Sequence, residues 1–242
     1  MSALFHLRRK AKKIWQLRAR PIWRRGLRLG VAAAIEHQHI FLRERFDTLI
    51  DVGANRGQFS LLAKGLYPHA RIHAFEPVDE PAARYLEIFG GMPNVTLHRC
   101  AIGEAEHSGT MHVGGKSDDS SLLEFAQVSE IFAVPGEASR QPIAVRPLAS
   151  VLRPEDLAGR VLMKIDVQGF EDKVIAGAAA LLPHIDLIYV ETALVELYKG
   201  QALFPEVHAQ LAALGFRAIR IGHVTGSPVE PGCVADVLYA RA

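Results

Sequence analysis

Short apolar segments alternate with helix-forming segments from residue 46 onward, and this alternation constrains the fold more than any other feature of the chain. Each apolar segment has the length of one strand, and most of the intervening segments have the length of a helix. Strands that alternate with helices in this way build a mostly parallel sheet that is covered by helices on both faces. The sequence therefore predicts an α/β fold.

The pattern predicts seven strands and four helices. The expected strands are Thr48–Val52, Arg71–Phe75, Val95–Cys100, Val161–Val167, Asp186–Glu191, Ala218–Ile221 and Val234–Ala240. The expected helices are Gly57–Gly65, Glu80–Phe89, Phe170–Leu182 and Phe204–Leu214. Only a loop rich in glycine and proline joins the last two strands, so we expect an antiparallel hairpin at the C-terminus. The segment 103–146 is less regular, and a long insertion of this kind is a usual place for a substrate lid.

Charge divides the chain into a basic arm and an acidic body. The first 28 residues hold ten Lys or Arg, and the first acidic residue is Glu36. Residues 29–242 carry a net charge of −8, which argues against a body that coats nucleic acid. We therefore expect an amphipathic N-terminal arm over 1–40 and one domain over 41–242, a size that suits a single large α/β domain.

The arm has two interpretations. Leu7, Ile14 and Trp15 recur at roughly helical spacing with basic residues between them, and Pro21 begins or breaks a helix. Residues 1–28 could lie on an anionic membrane surface as a peripheral contact. Alternatively, the arm is a solvated extension whose aromatic side chains pack on the domain.

The remaining composition favours a soluble cytoplasmic protein. Hydrophobic residues make up 49% of the chain, and no apolar run is long enough to span a bilayer. The two cysteines, Cys100 and Cys233, can form neither a disulfide framework nor a clustered zinc site. The N-terminus has no apolar segment followed by a cleavage site, so we expect no export.

The strongest motif is DVGANRGQFS at residues 51–60, where an apolar strand enters a glycine-containing turn before a helix. Glycines let the backbone approach a ligand closely, and the free N–H groups of a helix start can meet its polar atoms. The spacing from Gly53 to Gly57 is not that of a dinucleotide site, which disfavours a nicotinamide-dependent dehydrogenase. Asp51 would repel a pyrophosphate but suits a cationic amine, such as that of S-adenosylmethionine.

Two further acids follow predicted strands. Glu76, in FEP at 75–77, can accept hydrogen bonds from the ribose hydroxyls of an adenosine ligand. Asp166 and Glu171 lie in KIDVQGFE at 164–171, although a turn residue and a first-turn helix acid are ordinary alternatives for them. Because the carboxyl ends of the strands form the ligand crevice of an open α/β sheet, these acids should lie along one edge.

Six sequence blocks in a fixed order resemble the FkbM-type methyltransferases: DVGANRGQFS, FEP, SSLLE, KIDVQGFE, IYVET and ADVLYAR. The resemblance covers about residues 47–241. It implies a class I, Rossmann-like, S-adenosylmethionine-dependent methyltransferase fold with a seven-stranded sheet that ends in a hairpin.

The same resemblance implies roles for individual positions. The implied cofactor-binding residues are Asp51, Gly53, Ala54, Asn55, Gly57, Ser60, Glu76, Pro77, Ala101 and Asp166. The serine pair Ser120 and Ser121 would serve the acceptor site or the lid. Asp166, Gly169 and Glu171 match the motif that faces the transferred methyl group, and Glu191 matches the acid that ends the fifth strand. Gln168 stands where many relatives have Glu, which weakens any mechanism that needs a carboxylate there.

Methyl transfer to an alcohol needs an in-line oxygen and a group that takes its proton. Asp166 is the first candidate base, with Glu171 and Glu191 behind it. His223 is a rival, although an ordinary surface histidine explains it better. Asp166 and Glu191 could also hold a divalent metal, but their spacing does not demand one, so metal dependence is the less favoured interpretation.

We therefore expect an enzyme that methylates a hydroxyl of a sugar, glycan or secondary metabolite. One alternative is an RNA methyltransferase that grips phosphate with the arm, which the acidic body disfavours. Another is a non-catalytic interaction protein that binds the cofactor, which the intact Asp51, Glu76 and Asp166 disfavour.

Overall fold

The computed structural model describes residues 13, 15–41, 43–115, 120–126, 137–224 and 234–242. Within these ranges the strands are β1 (Thr48–Val52), β2 (Arg71–Phe75), β3 (Val95–His98), β4 (Ala101–Ile102), β5 (His107–Gly114), β6 (Glu137–Arg146), β7 (Val161–Ile165), β8 (Leu187–Ala193), β9 (Phe216–Val224) and β10 (Val234–Arg241). The helices are α1 (Pro21–Arg28), α2 (Gln38–Phe41), α3 (Gln58–Leu66), α4 (Asp79–Phe89), α5 (Glu171–Ala178) and α6 (Phe204–Ala213).

Seven strands form the central sheet, in the order β3-β2-β1-β7-β8-β10-β9. The first five strands of this order are parallel to one another, and β10 is antiparallel to both β8 and β9. Every residue of β1 and β7 is buried, as expected for central strands that are covered on both faces. The predicted fold class is confirmed, and so is the antiparallel hairpin at the end of the chain.

Several predicted boundaries differ from the structure. The third strand ends at His98 rather than Cys100, and the fourth predicted strand ends at Ile165 rather than Val167. The helix predicted to reach Leu182 ends at Ala178, where the chain tightens into a turn that leads to a short 3₁₀ helix, Leu182–His184. The strand predicted at 218–221 extends over Phe216–Val224, because it pairs along its length with the long β10.

The insertion at 103–146 is more regular than expected. Its β5 and β6 pair antiparallel, and β6 also pairs with β4, which makes a second, three-stranded sheet. The backbone of Ser121 exchanges two hydrogen bonds with that of His112 and so ties the serine pair to this sheet. Residues 116–119 and 127–136 of the insertion lie outside the described ranges.

Part of the N-terminal arm packs on the domain. Trp23 of α1 is only 3% exposed, and its Nε1 donates to the carbonyl oxygen of Leu61 in α3 at 2.7 Å. Trp15, by contrast, is 74% exposed. Most of the basic residues before it lie outside the described ranges. In the part of the chain that the structure describes, no helix has the length and apolar character needed to cross a bilayer.

Candidate active site

A cavity of about 430 Å³ opens at the carboxyl ends of β1, β2, β7 and β8. Its wall includes Gly53 after β1, Glu76 after β2, Asp166 after β7 and Glu191 within β8. The parallel sheet brings these residues together, because all four strands point their carboxyl ends to the same edge. This is the edge at which the sequence predicted a ligand crevice.

The turn after β1 needs glycine at its first position. Gly53 has a φ of +77°, and a Cβ atom there would collide with the carbonyl oxygen of Asp166. Asn55 also has a positive φ, 47°, a conformation that asparagine tolerates better than most residues. At Gly53 the turn therefore places backbone without a side chain on the cavity wall.

Glu76 fixes this turn from the next strand. Its Oε2 accepts the backbone N–H of Asn55 at 2.8 Å, and its Oε1 accepts that of Val78 at 2.8 Å. Burial raises the pKa of Glu76 to about 7, against the effect of these two donors, which lower it. Two hydrogen bonds leave further lone pairs on the carboxylate for a ligand's hydroxyl groups.

Asp51 lies beneath the cavity rather than on its wall. It is fully buried, and its Oδ2 accepts the hydroxyl of Ser60 at 2.6 Å. Tyr85 donates in turn to Ser60 at 2.9 Å. The cation beside Asp51 is a residue of the protein and not part of a ligand, since Lys164 Nζ lies 3.6 Å from Asp51 Oδ1. Burial raises the pKa of Asp51, whereas Lys164 and Ser60 lower it.

Lys164 links the first motif to the third. Its Nζ donates to the carbonyl oxygen of Gly53 at 2.8 Å and lies 3.2 Å from Asp166 Oδ2. Burial lowers the pKa of this lysine, but the neighbouring carboxylates outweigh burial and raise it above its usual value. Lys164 is therefore charged and locks the β1 turn to the end of β7.

The side chain of Gln168 bridges two acids of the cavity wall, Asp166 and Glu191. Its Nε2 donates to Asp166 Oδ1 and to Glu191 Oε2, both at 2.8 Å. Burial raises the pKa of Asp166, but Lys164 and the amide of Gln168 outweigh it, so this pKa is lowered. Burial and the nearby carboxylates raise the pKa of Glu191 well above its usual value. An amide at this position thus joins two acids that a third carboxylate would repel.

Glu171 and Ser121 lie behind the wall and shape its backbone. Glu171 is 2% exposed, and its Oε1 accepts the backbone N–H groups of Val167 and Gly169. Burial raises the pKa of Glu171 to about 7. The hydroxyl of Ser121 donates to the carbonyl oxygen of Gln168 at 2.5 Å.

The structure thus divides the predicted site residues into two groups. The cavity wall includes Gly53, Ala54, Asn55, Glu76, Pro77, Ala101, Ser120, Asp166 and Glu191. The residues absent from that wall are Asp51, Gly57, Ser60, Ser121 and Glu171. Gly57 supports the turn, since a Cβ atom there would press on Phe89 and Tyr85.

Sequence reasoning missed several wall residues. Lys164 is the first residue of the KIDVQGFE motif, but a lysine that becomes buried has no local signal in the sequence. His37, Tyr189 and Asp236 also line the cavity and lie far apart in the chain.

His223 is an exposed residue of β9 and is not on the wall. Among the described residues, no group of three or more His, Cys, Asp or Glu is arranged to hold a metal ion.

The fold and the site together define a class. A seven-stranded sheet with one reversed strand, a glycine turn after β1 and an acid after β2 are the features of a Rossmann-like methyltransferase. The chain belongs to the FkbM methyltransferase family, because the family model "Methyltransferase FkbM domain" matches residues 51–218.

Individual relatives agree with this assignment. The chain is 30% identical over 187 residues to 2-O-methyltransferase NoeI of Sinorhizobium fredii, covering 73% of this chain and 76% of the relative. It is 26% identical to the 31-O-demethyl-FK506 methyltransferase FkbM of Streptomyces tacrolimicus, covering 72% and 74%. Among solved structures, a protein of the NADB-Rossmann superfamily from Streptococcus agalactiae matches with a TM-score of 0.50 and 10% identity, covering 88% of this chain and 70% of that one. That structural likeness concerns the fold alone.

Proposed function

We propose that this methyltransferase uses S-adenosylmethionine to methylate a hydroxyl group of a sugar-like or secondary-metabolite acceptor. The observation that carries the proposal is the composition of the cavity wall. One half of the cavity, at Gly53 and Glu76, suits an adenosine ligand and is called the adenosine half. The other half, at Asp166 and Glu191, is polar. When bound, S-adenosylmethionine supplies a methyl group on a sulfonium, which is already a good leaving group.

The cofactor half fits an adenosine ligand. Glu76 is held by two backbone donors, so its remaining lone pairs can receive the two ribose hydroxyls. Gly53 offers backbone without a side chain, and Ala101 and Pro77 offer small apolar surface for a base. We assign Asp51 and Ser60 to support of the turn, because Lys164 occupies the space beside the buried carboxylate.

The polar half suits a hydroxylated acceptor. Asp166, with its charge held by Lys164 and Gln168, can orient a cationic amine or accept a hydroxyl donor. Glu191 and Ser120 also line the cavity and are assigned to acceptor binding. The names of two relatives, a 2-O-methyltransferase and a 31-O-demethyl-FK506 methyltransferase, support an oxygen as the methylated atom.

A transfer assay tests the proposal. The protein would be incubated with methyl-labelled S-adenosylmethionine and a panel of methyl glycosides, 31-O-demethyl-FK506 and RNA. Label on the oxygen of a sugar or macrolide acceptor supports the proposal. Label on RNA would favour the alternative in which the basic arm grips phosphate, and cofactor binding with no transfer to any acceptor would favour a non-catalytic protein.

We also propose that residues 1–28 make a peripheral contact with an anionic membrane. Ten basic residues precede the first acid, and the exposed Trp15 lies among them. The docked Trp23 marks where this surface segment joins the domain. Cosedimentation with phosphatidylserine vesicles tests the contact, and equal binding to neutral vesicles would contradict it.

A further inference from the structure

We infer that His37 is the base that takes the proton of the acceptor hydroxyl, with Tyr189 and Asp236 as the residues that position its ring. The inference rests on the proposed function and extends it to a segment that precedes the matched family domain. His37 and Asp236 both lie outside residues 51–218, yet both line the cavity.

The segment that carries His37 is held firmly against the domain. His37 ends a 3₁₀ helix, Ile35–His37, and the backbone N–H of Ala34 donates to the carbonyl oxygen of Gln58 at the start of α3. A few residues later, Phe41 is buried, and its carbonyl oxygen accepts the hydroxyl of Tyr67 at 2.7 Å. A base needs a fixed position relative to its substrate, and packing on both sides of His37 provides one.

Neighbouring side chains fix the orientation of the imidazole. His37 Nδ1 lies 2.8 Å from the hydroxyl of Tyr189 and 3.5 Å from Asp236 Oδ2. The Tyr189 hydroxyl is itself hydrogen-bonded to Asp236. In its ionised form Asp236 can only accept, which favours donation from the Tyr189 hydroxyl to Asp236 and from Nδ1–H of His37 to Tyr189. Burial and the nearby Asp166 raise the pKa of Asp236 to about 7, so this arrangement holds above that pH. The ring nitrogen that then carries the free lone pair is Nε2.

Burial keeps the His37 ring neutral before the reaction. Burial is the main cause that lowers the pKa of His37, to about 4, and Lys164 of β7 and His223 of β9 act in the same direction. Glu36 and Asp166 act in the opposite direction and would stabilise a proton once it arrives. Asp236 of β10 lies 3.5 Å from the ring, and Tyr189 of β8 faces it.

The other groups on the wall are less suited to this step. Asp166 is already bound by Lys164 and Gln168, which reduce its affinity for a proton. Glu171 lies behind the wall, and its carboxylate accepts two backbone N–H groups. The Oε2 of Glu191 accepts the Nε2–H of Gln168, so this carboxyl group is held by the same amide as Asp166. His37 is the neutral acceptor that faces the cavity.

The step balances without a further reactant. The acceptor oxygen forms a bond to the methyl carbon as the carbon–sulfur bond breaks, and that electron pair returns to sulfur to leave a neutral thioether. The hydroxyl proton moves to Nε2 of His37. Because the oxygen becomes strongly acidic as its bond to carbon forms, even a weakly basic imidazole can accept this proton.

Variants of the full-length chain test the assignment. His37→Ala should lower turnover of the best acceptor in the transfer assay by about 100-fold or more, the range for loss of a general base. S-adenosylhomocysteine affinity should stay within about twofold of wild type, because His37 lies outside the proposed adenosine half. Added imidazole should restore part of the turnover, and more basic methylimidazoles should restore more. His39→Ala, at an exposed histidine two residues further on, is the matched control and should behave as wild type.

A second readout does not depend on activity. Nitrogen NMR of the wild-type protein at about pH 8, where Asp236 is ionised, should show His37 as a neutral ring with the proton on Nδ1. Asp236→Asn should disturb this tautomer and lower kcat more than it changes KM for the acceptor, as expected for a positioning residue. A proton on Nε2 in the wild type would overturn the inference.

The outcomes separate this inference from the proposed function. Unchanged turnover in His37→Ala would overturn the inference alone. Lost turnover without imidazole rescue would also overturn it, since it would indicate a structural role. A wild-type protein that binds no S-adenosylhomocysteine would contradict the proposed function and the inference together.

Discussion

The carbonyl oxygen of Asp166 occupies the space where a Cβ atom at Gly53 would lie. The end of β7 therefore closes directly onto the turn after β1, and the two halves of the proposed site are in backbone contact. The N–H of Asp166 also donates to the carbonyl oxygen of Val52, one residue before that turn, at 3.2 Å. The position of the Asp166 carbonyl oxygen explains why the first residue of the turn must be glycine.

Gly53→Ala should both destabilise the fold and prevent cofactor binding. Alanine at a positive φ costs about 1 kcal/mol wherever it is placed, and forced overlap in a packed region adds about 1–3 kcal/mol. Gly91→Ala is the matched control, because Gly91 has a φ of +82° with open space around it. Urea unfolding should show the larger loss for Gly53→Ala. Equal losses for the two variants would show that the contact with Asp166 is unimportant.

Affinity for S-adenosylhomocysteine should fall as the pH drops below about 7. Burial raises the pKa of Glu76 to about 7, and only its ionised form can accept both ribose hydroxyls. Binding must then release a proton, so affinity should fall by up to about tenfold per pH unit below that pKa. Calorimetry at pH 8 and pH 6 in two buffers measures both the affinity and the released proton. Glu76→Gln should bind S-adenosylhomocysteine weakly at either pH. If the variant shows the same pH dependence as wild type, a group other than Glu76 causes that dependence.

Gln168→Glu should make the protein less stable as the pH rises. The new carboxylate would lie between Asp166 and Glu191, so its pKa in the fold should exceed its unfolded value of about 4.3. Stability is then lost progressively above that unfolded value, by about 1.4 kcal/mol for each unit of pKa difference. Thermal unfolding at pH 5 and pH 8, relative to wild type, measures the loss. Gln168→Met loses the same two donors without adding a charge, so its pH dependence should be weaker.

Trp23→Ala should detach α1 from α3. It removes a buried ring and the hydrogen bond to Leu61, a change that typically costs about 3–5 kcal/mol. Trp15→Ala is the control, since an exposed side chain should cost within about 0.5 kcal/mol. Urea unfolding separates the two variants. A near-neutral Trp23→Ala would show that the arm does not depend on this contact.

The motifs at strand ends could be predicted from the sequence because their signals are local. Gly53, Glu76 and Asp166 each follow an apolar run, and the parallel sheet then brings them to one edge. The second sheet had no comparable signal, since β5 is largely polar and half exposed. His37 and Asp236 meet only after the chain has closed, 199 positions apart in sequence, so no spacing rule could have paired them. Asp51 shows a related limit, because its lysine partner comes from β7.

Calorimetric titration of S-adenosylmethionine and S-adenosylhomocysteine into the wild-type protein, with NAD as counter-ligand, tests the central claim most directly. Glu76→Ala serves as the site control. We expect micromolar binding of both sulfur ligands, at least a tenfold loss in Glu76→Ala, and no binding of NAD. Folded wild-type protein that binds NAD, or that binds neither sulfur ligand, would contradict the account.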